Sequence, residues 1–157
     1  LHCILPAAPG YFSQLQNTVQ AAGLGEAVTV LEGQSHEALT ACDVTLIASG
    51  TATLEAALLK RPMAISYAVH PLSARIMRSK QLQPWVGLPN ILSREFVVPE
   101  LLQEDATPPK LADAVEAWLD DPARCATVRQ RFTDLHHTLR RDTATLAAHA
   151  IQQVLAG

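Results

Sequence analysis

The stretch ASGTATLEAALLKRPM at residues 48–63 places a glycine turn directly before a segment of helical composition. Gly50 allows the backbone to come close to a ligand, and the free N–H groups of residues 51–53 would open the following helix. Those donors and the positive end of the helix dipole favour an anion, of which phosphate fits best. Ser49 and Thr51 add hydroxyl donors. The sequence therefore predicts an anion site; the alternative is a helix start beside a closely packed glycine.

Glu55 extends the chemistry of this turn, because it follows Thr51 by four residues and shares its face of the predicted helix. A carboxylate that touched a phosphate would be repelled. One turn further along the helix, it can instead accept hydrogen bonds from two sugar hydroxyls. A ribose beside a phosphate meets that requirement, so the spacing favours a nucleotide over free phosphate. The alternative is a glutamate that faces solvent.

Common phosphate and metal motifs are missing from the sequence. Neither GxGxxG nor GxxxxGK[ST] occurs, and Lys60 lies too far along the helix to act as a P-loop lysine. No DxD occurs either, and Asp120 and Asp121 are interpreted as helix caps. We therefore expect neither a metal nor another cofactor. Structural or surface positions are expected for the histidines, His36, His70, His136 and His137.

Strand-like and helical segments alternate over most of the chain. Apolar or β-branched runs predict strands at 2–5, 28–31, 44–48, 63–67 and 86–88. Periodicity and capping residues predict helices at 11–22, 35–42, 51–59, 71–80, 108–119, 122–140 and 143–155. This order predicts a doubly wound α/β fold with a mostly parallel sheet. Ligands of such sheets bind beyond the carboxyl ends of the strands, where the glycine turn lies.

Charge is distributed unevenly along this 157-residue chain of net charge −3. Residues 1–59 contain no Lys or Arg, and residues 56–94 contain no Asp or Glu. The basic stretch inside an acidic protein indicates a local anionic partner, such as phosphate or a lipid headgroup, and not nucleic acid. An ordinary solvated face is the alternative. Its cations are Lys60, Arg61, Arg75, Arg78, Lys80 and Arg94.

Cysteine usage and apolar runs indicate a cytoplasmic protein. The three cysteines are widely spaced and form no CxxC pair, which is typical of a reducing compartment. No apolar run approaches the ~20 residues that span a bilayer, and no signal peptide is recognisable. Because the chain opens on Leu1 within a strand-like run, we expect it to be a piece of a longer protein.

Several motifs together resemble one family, lipid-A-disaccharide synthase. They are ASGTATLEAALLKRPM, the PL of HPLSARIM, GLPNIL, VVPELLQE and, upstream, GQSHEALTACDVTLIASGTATLE. The resemblance extends from about residue 1 to residue 155 and corresponds to the C-terminal half of that enzyme. It implies a GT-B fold of glycosyltransferase family 19, with two Rossmann-like domains around an active site. Here it implies a Rossmann-like UDP-sugar-binding domain at 1–120. Residues 121–157 would form a C-terminal helical segment that packs on the absent N-terminal domain.

The resemblance also implies an inverting, metal-independent hexosyltransferase. Its donor is UDP-2,3-diacylglucosamine, its acceptor is lipid X, and its product is the β-1,6-linked lipid A disaccharide 1-phosphate. The general base belongs to the missing N-terminal half, so this fragment is expected to bind nucleotide but to be inactive alone. Other implied partners are that N-terminal domain, the inner-membrane surface of a Gram-negative bacterium, where the enzyme is peripheral, and a second subunit of a homodimer.

Site residues follow from the resemblance position by position. Glu55 would bind the ribose, and Asn90 of the LPN motif would line the donor site. Gly33 and Gln34 match a GQS turn near the uracil. The diphosphate would contact Ser49, Gly50, Thr51, Ala52 and Thr53. Two departures from the family pattern are the segment 73–85, SARIMRSKQLQPW, and the pair Ser93-Arg94 in place of small residues.

Two other interpretations remain open. A related UDP-sugar GT-B transferase or a UDP-sugar epimerase would use the same turn and glutamate. A receiver or flavodoxin-like interaction module is a third class of protein. A receiver needs acidic residues after its first strand, but this sequence has Pro6-Ala7-Ala8 there.

Overall fold

The computed structural model describes residues 1–79 and 82–156, with the side chains of 76–79 left out. Its strands pair in parallel and form two hydrogen-bonded sheets. In the first sheet Cys3 lies opposite Val28. In the second, β4 lies between β3 and β5, with Ile65 opposite Glu100. The strands are β1 Cys3–Ala7, β2 Val28–Glu32, β3 Thr45–Ala48, β4 Met63–Tyr67 and β5 Glu100–Leu102.

Helices connect and flank the strands. Four of them alternate with β1 to β4 and follow the strand ends: α1 Phe12–Ala21, α2 Ser35–Ala41, α3 Thr51–Leu58 and α4 Pro71–Ser79. A short helix precedes β5 and three longer ones follow a 3-10 turn at Gln103–Asp105: α5 Leu88–Ser93, α6 Pro108–Leu119, α7 Pro122–Leu139 and α8 Thr143–Ala156. The predicted α/β class with parallel strands is confirmed. The strand pairing differs from the prediction of one sheet, because β1 and β2 form one sheet and β3, β4 and β5 form another.

The predicted strand at 86–88 is wrong. Leu88 begins α5, with Pro89 in its first turn and Gly87 in an extended conformation at the N-cap. Proline suits the first turn of a helix because the N–H that it lacks would have no acceptor there. The fifth strand lies instead at Glu100–Leu102, where Pro99 immediately precedes three residues that pair with β4.

The main core lies between the β3–β4–β5 sheet and helices α3, α6 and α7. Trp118 of α6 is fully buried, and its indole Nε1 donates a hydrogen bond to the carbonyl of Met63 in β4 at 2.9 Å. The core therefore continues past the predicted boundary at residue 120, since α7 shares it. Its buried members are Ala56, Ala57, Met63, Ile65, Val98, Trp118, Cys125, Val128 and Phe132.

Helix α8 differs from the other long helices, because none of its residues is buried. Several of its apolar side chains are exposed, and Val154 and Leu155 are both 81% exposed. That α8 covers another part of a longer protein stays a prediction. Within the described residues, no helix is both long and apolar enough to cross a membrane.

Phe132 tests the contribution of α7 to the core. Its side chain is 1% exposed, so Phe132→Ala should lower the free energy of unfolding by about 3–5 kcal/mol through lost burial and a cavity. Phe96→Ala is the matched control, since Phe96 is 61% exposed and makes an edge contact with Trp85. It should cost about 1 kcal/mol. Urea unfolding measures both; equal losses would contradict this account of the core.

Candidate functional site

The turn between β3 and α3 has a backbone geometry that glycine adopts most readily. Gly50 has φ 156° and ψ −166°, a region that other residues enter only with strain. A Cβ placed on Gly50 would meet no protein atom within 4 Å. The requirement for glycine is therefore conformational, and the space beside the turn is open to a ligand.

Thr53 holds this turn from inside the protein. It is fully buried, and both its hydroxyl, at 2.7 Å, and its N–H, at 3.2 Å, donate to the carbonyl of Gly50. The prediction that Thr53 contacts a diphosphate is therefore corrected, because both of its donors are already used. Thr51, which is exposed, and Ala52, which is half-buried, carry the N–H groups that open α3.

Ser49 connects the end of β3 to two neighbouring segments. Its N–H donates to the carbonyl of Ser66 in β4 at 3.0 Å, so the strand pairing continues to the start of the turn. Its hydroxyl lies 3.4 Å from the carbonyl of Val86, which it faces as a donor. That distance exceeds the usual range for O–H···O hydrogen bonds, so the hydroxyl is weakly held.

Glu55 lies on α3, one turn beyond Thr51, and its side chain is 44% exposed. One carboxylate oxygen is 3.6 Å from Nε2 of His36 on α2. Since both side chains are well exposed, this contact contributes little to stability. The carboxylate therefore remains able to accept hydrogen bonds from a ligand. The sequence predicts a structural or surface role for His36, and nothing in its local pattern indicates a position beside Glu55.

Gly33 and Gln34 follow β2 and lead into α2. Both have left-handed backbones, with φ values of 67° and 58°, which is uncommon for a residue other than glycine. Gln34 is exposed at the start of α2. Because His36 of the same helix reaches Glu55, the structure brings the start of α2 close to α3. Contact of Gly33 and Gln34 with a uracil stays a prediction.

Asn90 does not line the site, which corrects another prediction. It is fully buried, and its Oδ1 accepts hydrogen bonds from the N–H groups of Val97 at 2.8 Å and Val98 at 3.0 Å. Its Nδ2 donates to the carbonyl of Val98 at 2.9 Å and to Glu100 at 2.8 Å. All four hydrogen-bonding positions of the amide are thus occupied within the protein.

Lys60 belongs to the helix packing and not to a ligand site. Its ammonium contacts the carbonyl of Leu58 and Nδ1 of His136 on α7. The positive charge of Lys60 is the main cause that lowers the pKa of His136. Among the residues that the structure describes, no three His, Cys, Asp or Glu side chains are grouped as metal ligands would be.

The basic stretch divides into structural and exposed members. The guanidinium of Arg61 donates hydrogen bonds to two carbonyls at the end of α2. They belong to Thr40 and to Cys42, the latter at 3.0 Å. Arg75 and Arg94 are exposed. The side chain of Arg78 and the whole of Lys80 lie outside the described residues. Arg75 and Arg94 are therefore the described cations of this stretch that remain available to an anionic partner.

The parallel α/β fold and the open glycine turn at a strand end place the chain among Rossmann-like domains. Comparison with known proteins narrows this class. The sequence model of the family described as lipid-A-disaccharide synthetase matches residues 1–154. The chain belongs to that family.

Curated relatives share about half or more of their aligned residues with this chain. The lipid-A-disaccharide synthase of Albidiferax ferrireducens is 59% identical over 158 residues, which cover 98% of this chain and 41% of the relative. That of Verminephrobacter eiseniae is 56% identical, covering 99% and 41%. That of Burkholderia vietnamiensis is 49% identical, covering 97% and 39%.

This chain therefore spans about two fifths of the length of these relatives. The matches show the family and the extent of the similarity. They do not confirm the expected correspondence with the C-terminal half, which stays a prediction.

Thr53 and Thr51 form a matched pair for testing the turn. Thr53→Val keeps the shape of the side chain but removes the hydroxyl that donates to Gly50, so the free energy of unfolding should fall by about 1 kcal/mol. Thr51→Val alters an exposed hydroxyl at the same turn, and should change stability by less than about 0.5 kcal/mol. Thermal or urea unfolding distinguishes them. A larger loss for Thr51→Val would mean that the buried hydroxyl does not hold the turn.

Proposed function

We propose that this chain is the donor-nucleotide-binding half of a lipid-A-disaccharide synthase. The whole enzyme would transfer 2,3-diacylglucosamine from its UDP derivative to lipid X, forming the β-1,6-linked lipid A disaccharide 1-phosphate and releasing UDP. The observation that carries the proposal is the open turn at Gly50 with the half-exposed carboxylate of Glu55 one helical turn away. Family membership supports the choice of sugar.

The diphosphate of UDP would lie at the start of α3. The N–H groups of Thr51 and Ala52 would donate to its oxygens, and the hydroxyls of Ser49 and Thr51 would add two further donors. Negative charge grows on the leaving diphosphate as the glycosidic bond breaks. Donors already fixed by the β3–α3 turn would stabilise that charge without a metal ion.

The ribose would lie along α3 toward α2. Glu55 would accept hydrogen bonds from its two hydroxyls, since an ionised carboxylate is an acceptor only. The turn at Gly33 and Gln34, before α2, would face the uracil. This order along the molecule separates the Glu55 carboxylate from the diphosphate, which avoids repulsion between them.

Acceptor binding and the general base would come from the part of the enzyme outside this chain. Inversion requires a base that removes the proton of the acceptor hydroxyl as it attacks the sugar. The chain alone would therefore bind nucleotide without transferring sugar. Because donor, acceptor and product carry acyl chains, the enzyme would act as a peripheral protein at the inner membrane.

The ribose contact predicts a specific response to Glu55→Ala. Loss of hydrogen bonds to a charged acceptor should weaken UDP binding by roughly 10- to 100-fold in calorimetry. Wild-type chain should also bind 2′-deoxy-UDP about 10-fold more weakly than UDP, whereas Glu55→Ala should discriminate little between them. Glu37→Ala on α2 is the control, since Glu37 is an exposed carboxylate with no assigned ligand contact.

Absence of UDP binding at millimolar concentration, both for the folded chain and after addition of the rest of the enzyme, would overturn the proposed site. Equal discrimination against 2′-deoxy-UDP by wild type and Glu55→Ala would remove the ribose assignment alone. Product analysis with the whole enzyme separates lipid A disaccharide synthesis from a related UDP-sugar transfer or epimerisation.

Gly50→Val tests the phosphate part of the site. A side chain at this position strains the backbone and fills the open space beside the turn, so UDP should bind more than about 10-fold more weakly. Uridine, which has no phosphate, should lose much less affinity. Gly23→Val is a control that also places a side chain on a glycine of positive φ, since Gly23 has φ +68° and open surroundings but follows α1. If both variants bound UDP equally well, the turn would not hold the diphosphate.

A further inference from the structure

Three donors converge on the carboxylate of Glu100, the first residue of β5. Its Oε2 accepts the N–H of Val86 at 2.9 Å. Its Oε1 accepts the N–H of Gly87 at 2.8 Å and Nδ2 of Asn90 at 2.8 Å. Hydrogen bonds to an ionised acceptor are short and strong. Glu100 therefore links two segments to the edge strand β5 by hydrogen bonds. They are the connection at residues 86–87 and the first turn of α5.

The connection at residues 86–87 contacts the candidate nucleotide site. The carbonyl of Val86 faces the hydroxyl of Ser49 at 3.4 Å. Gly87 lies so close to β4 that a Cβ on it would be 2.3 Å from Cδ1 of Ile65. The next residue of β4, Ser66, accepts the N–H of Ser49. Two routes therefore lead from Glu100 to Ser49, one through the Val86 carbonyl and one through β4.

We propose that Glu100 is a positioning residue of the donor site, acting on Ser49 through the backbone of Val86 and Gly87. The inference rests on the proposed function for the identity of the ligand. The Val86 carbonyl holds the Ser49 hydroxyl at the turn. That contact is long and weak, so it orients the Ser49 side chain while leaving its hydroxyl able to turn to a phosphate oxygen when a diphosphate binds.

Accepting these three hydrogen bonds requires the carboxylate of Glu100, and an amide cannot replace it. An amide has one acceptor oxygen, and its NH2 group would face a donor N–H. Glu100→Gln keeps the shape of the side chain but cannot accept all three hydrogen bonds, so the 86–87 backbone should lose its fixed position. Glu95→Gln is the matched control, because Glu95 lies on the connection before β5 and pairs with Arg131 on α7.

Backbone amide NMR of the ligand-free chain tests the positioning step without any nucleotide. Glu100→Gln should shift the amide signals of residues 86–87 and also those of residues 49–51, while Glu95→Gln should leave both groups unchanged. Unchanged signals at 49–51, with shifted signals at 86–87, would overturn the inference. If Glu100→Gln does not fold, Glu100→Asp replaces it, since it keeps the charge but withdraws the carboxylate.

UDP titration supplies the functional test. Glu100→Gln should bind UDP several-fold more weakly than wild type, and this loss should nearly vanish in a Ser49→Ala background. A loss of the same size in both backgrounds would indicate general destabilisation and overturn the inference, as would unchanged affinity. If the wild-type chain and the whole enzyme bind no UDP, the proposed function fails, whereas the amide signals still decide whether Glu100 positions Ser49.

Discussion

The candidate site depends on how the chain passes from β3 to α3 within two residues, Ser49 and Gly50. A strand end and a helix start this close together leave little choice of backbone, and Gly50 takes a conformation that strains other residues. Thr53 then donates twice to the Gly50 carbonyl, which holds the first turn of α3 against the strand end. The N–H groups of Thr51 and Ala52 at the start of α3 lie at the carboxyl edge of the sheet, where ligands of parallel folds bind.

A buried polar cluster supports this turn from the side. Asn90 uses all four hydrogen-bonding positions of its amide between α5 and the start of β5. Removal of such a group leaves buried donors and acceptors without partners, at a cost of about 1–3 kcal/mol each. Glu100 joins the same cluster and extends it to the connection at Val86 and Gly87. The edge strand β5 and the turn between β3 and α3, remote in sequence, are therefore parts of one hydrogen-bonded arrangement.

Local patterns predicted much of the fold and the centre of the site. The glycine, the hydroxyl residues and Glu55 lie within seven residues of one another, so backbone preference and helical spacing were enough to relate them. Asn90 and Thr53 could not be assigned in this way. Whether a polar side chain faces a ligand or the interior depends on what packs against it, and the partners of Asn90 lie on the segment 97–100.

The difference between local patterns and contacts with distant segments also explains the errors in the predicted strands and helices. Val86 to Leu88 is apolar, yet Gly87 and Pro89 suit the entry of a helix better than a central strand. The strand at Glu100–Leu102 is only three residues long and carries a glutamate, so hydrophobic alternation could not identify it. Its place is determined by pairing with β4, which is a tertiary contact. Likewise, α7 enters the core through Cys125, Val128 and Phe132. The periodicity of α7 does not identify the strands and helices against which these side chains pack.

The charge distribution limits how the proposed site would hold a diphosphate. No lysine or arginine occurs before residue 60, and the nearest cation along the chain, Lys60, is engaged with α7. The turn therefore offers neutral donors and a helix dipole, which contributes about 0.3–2 kcal/mol to binding an anion. If the proposed nucleotide site is correct, it would act chiefly by fixed geometry, so small displacements of Ser49 or Gly50 should matter more than changes in surface charge.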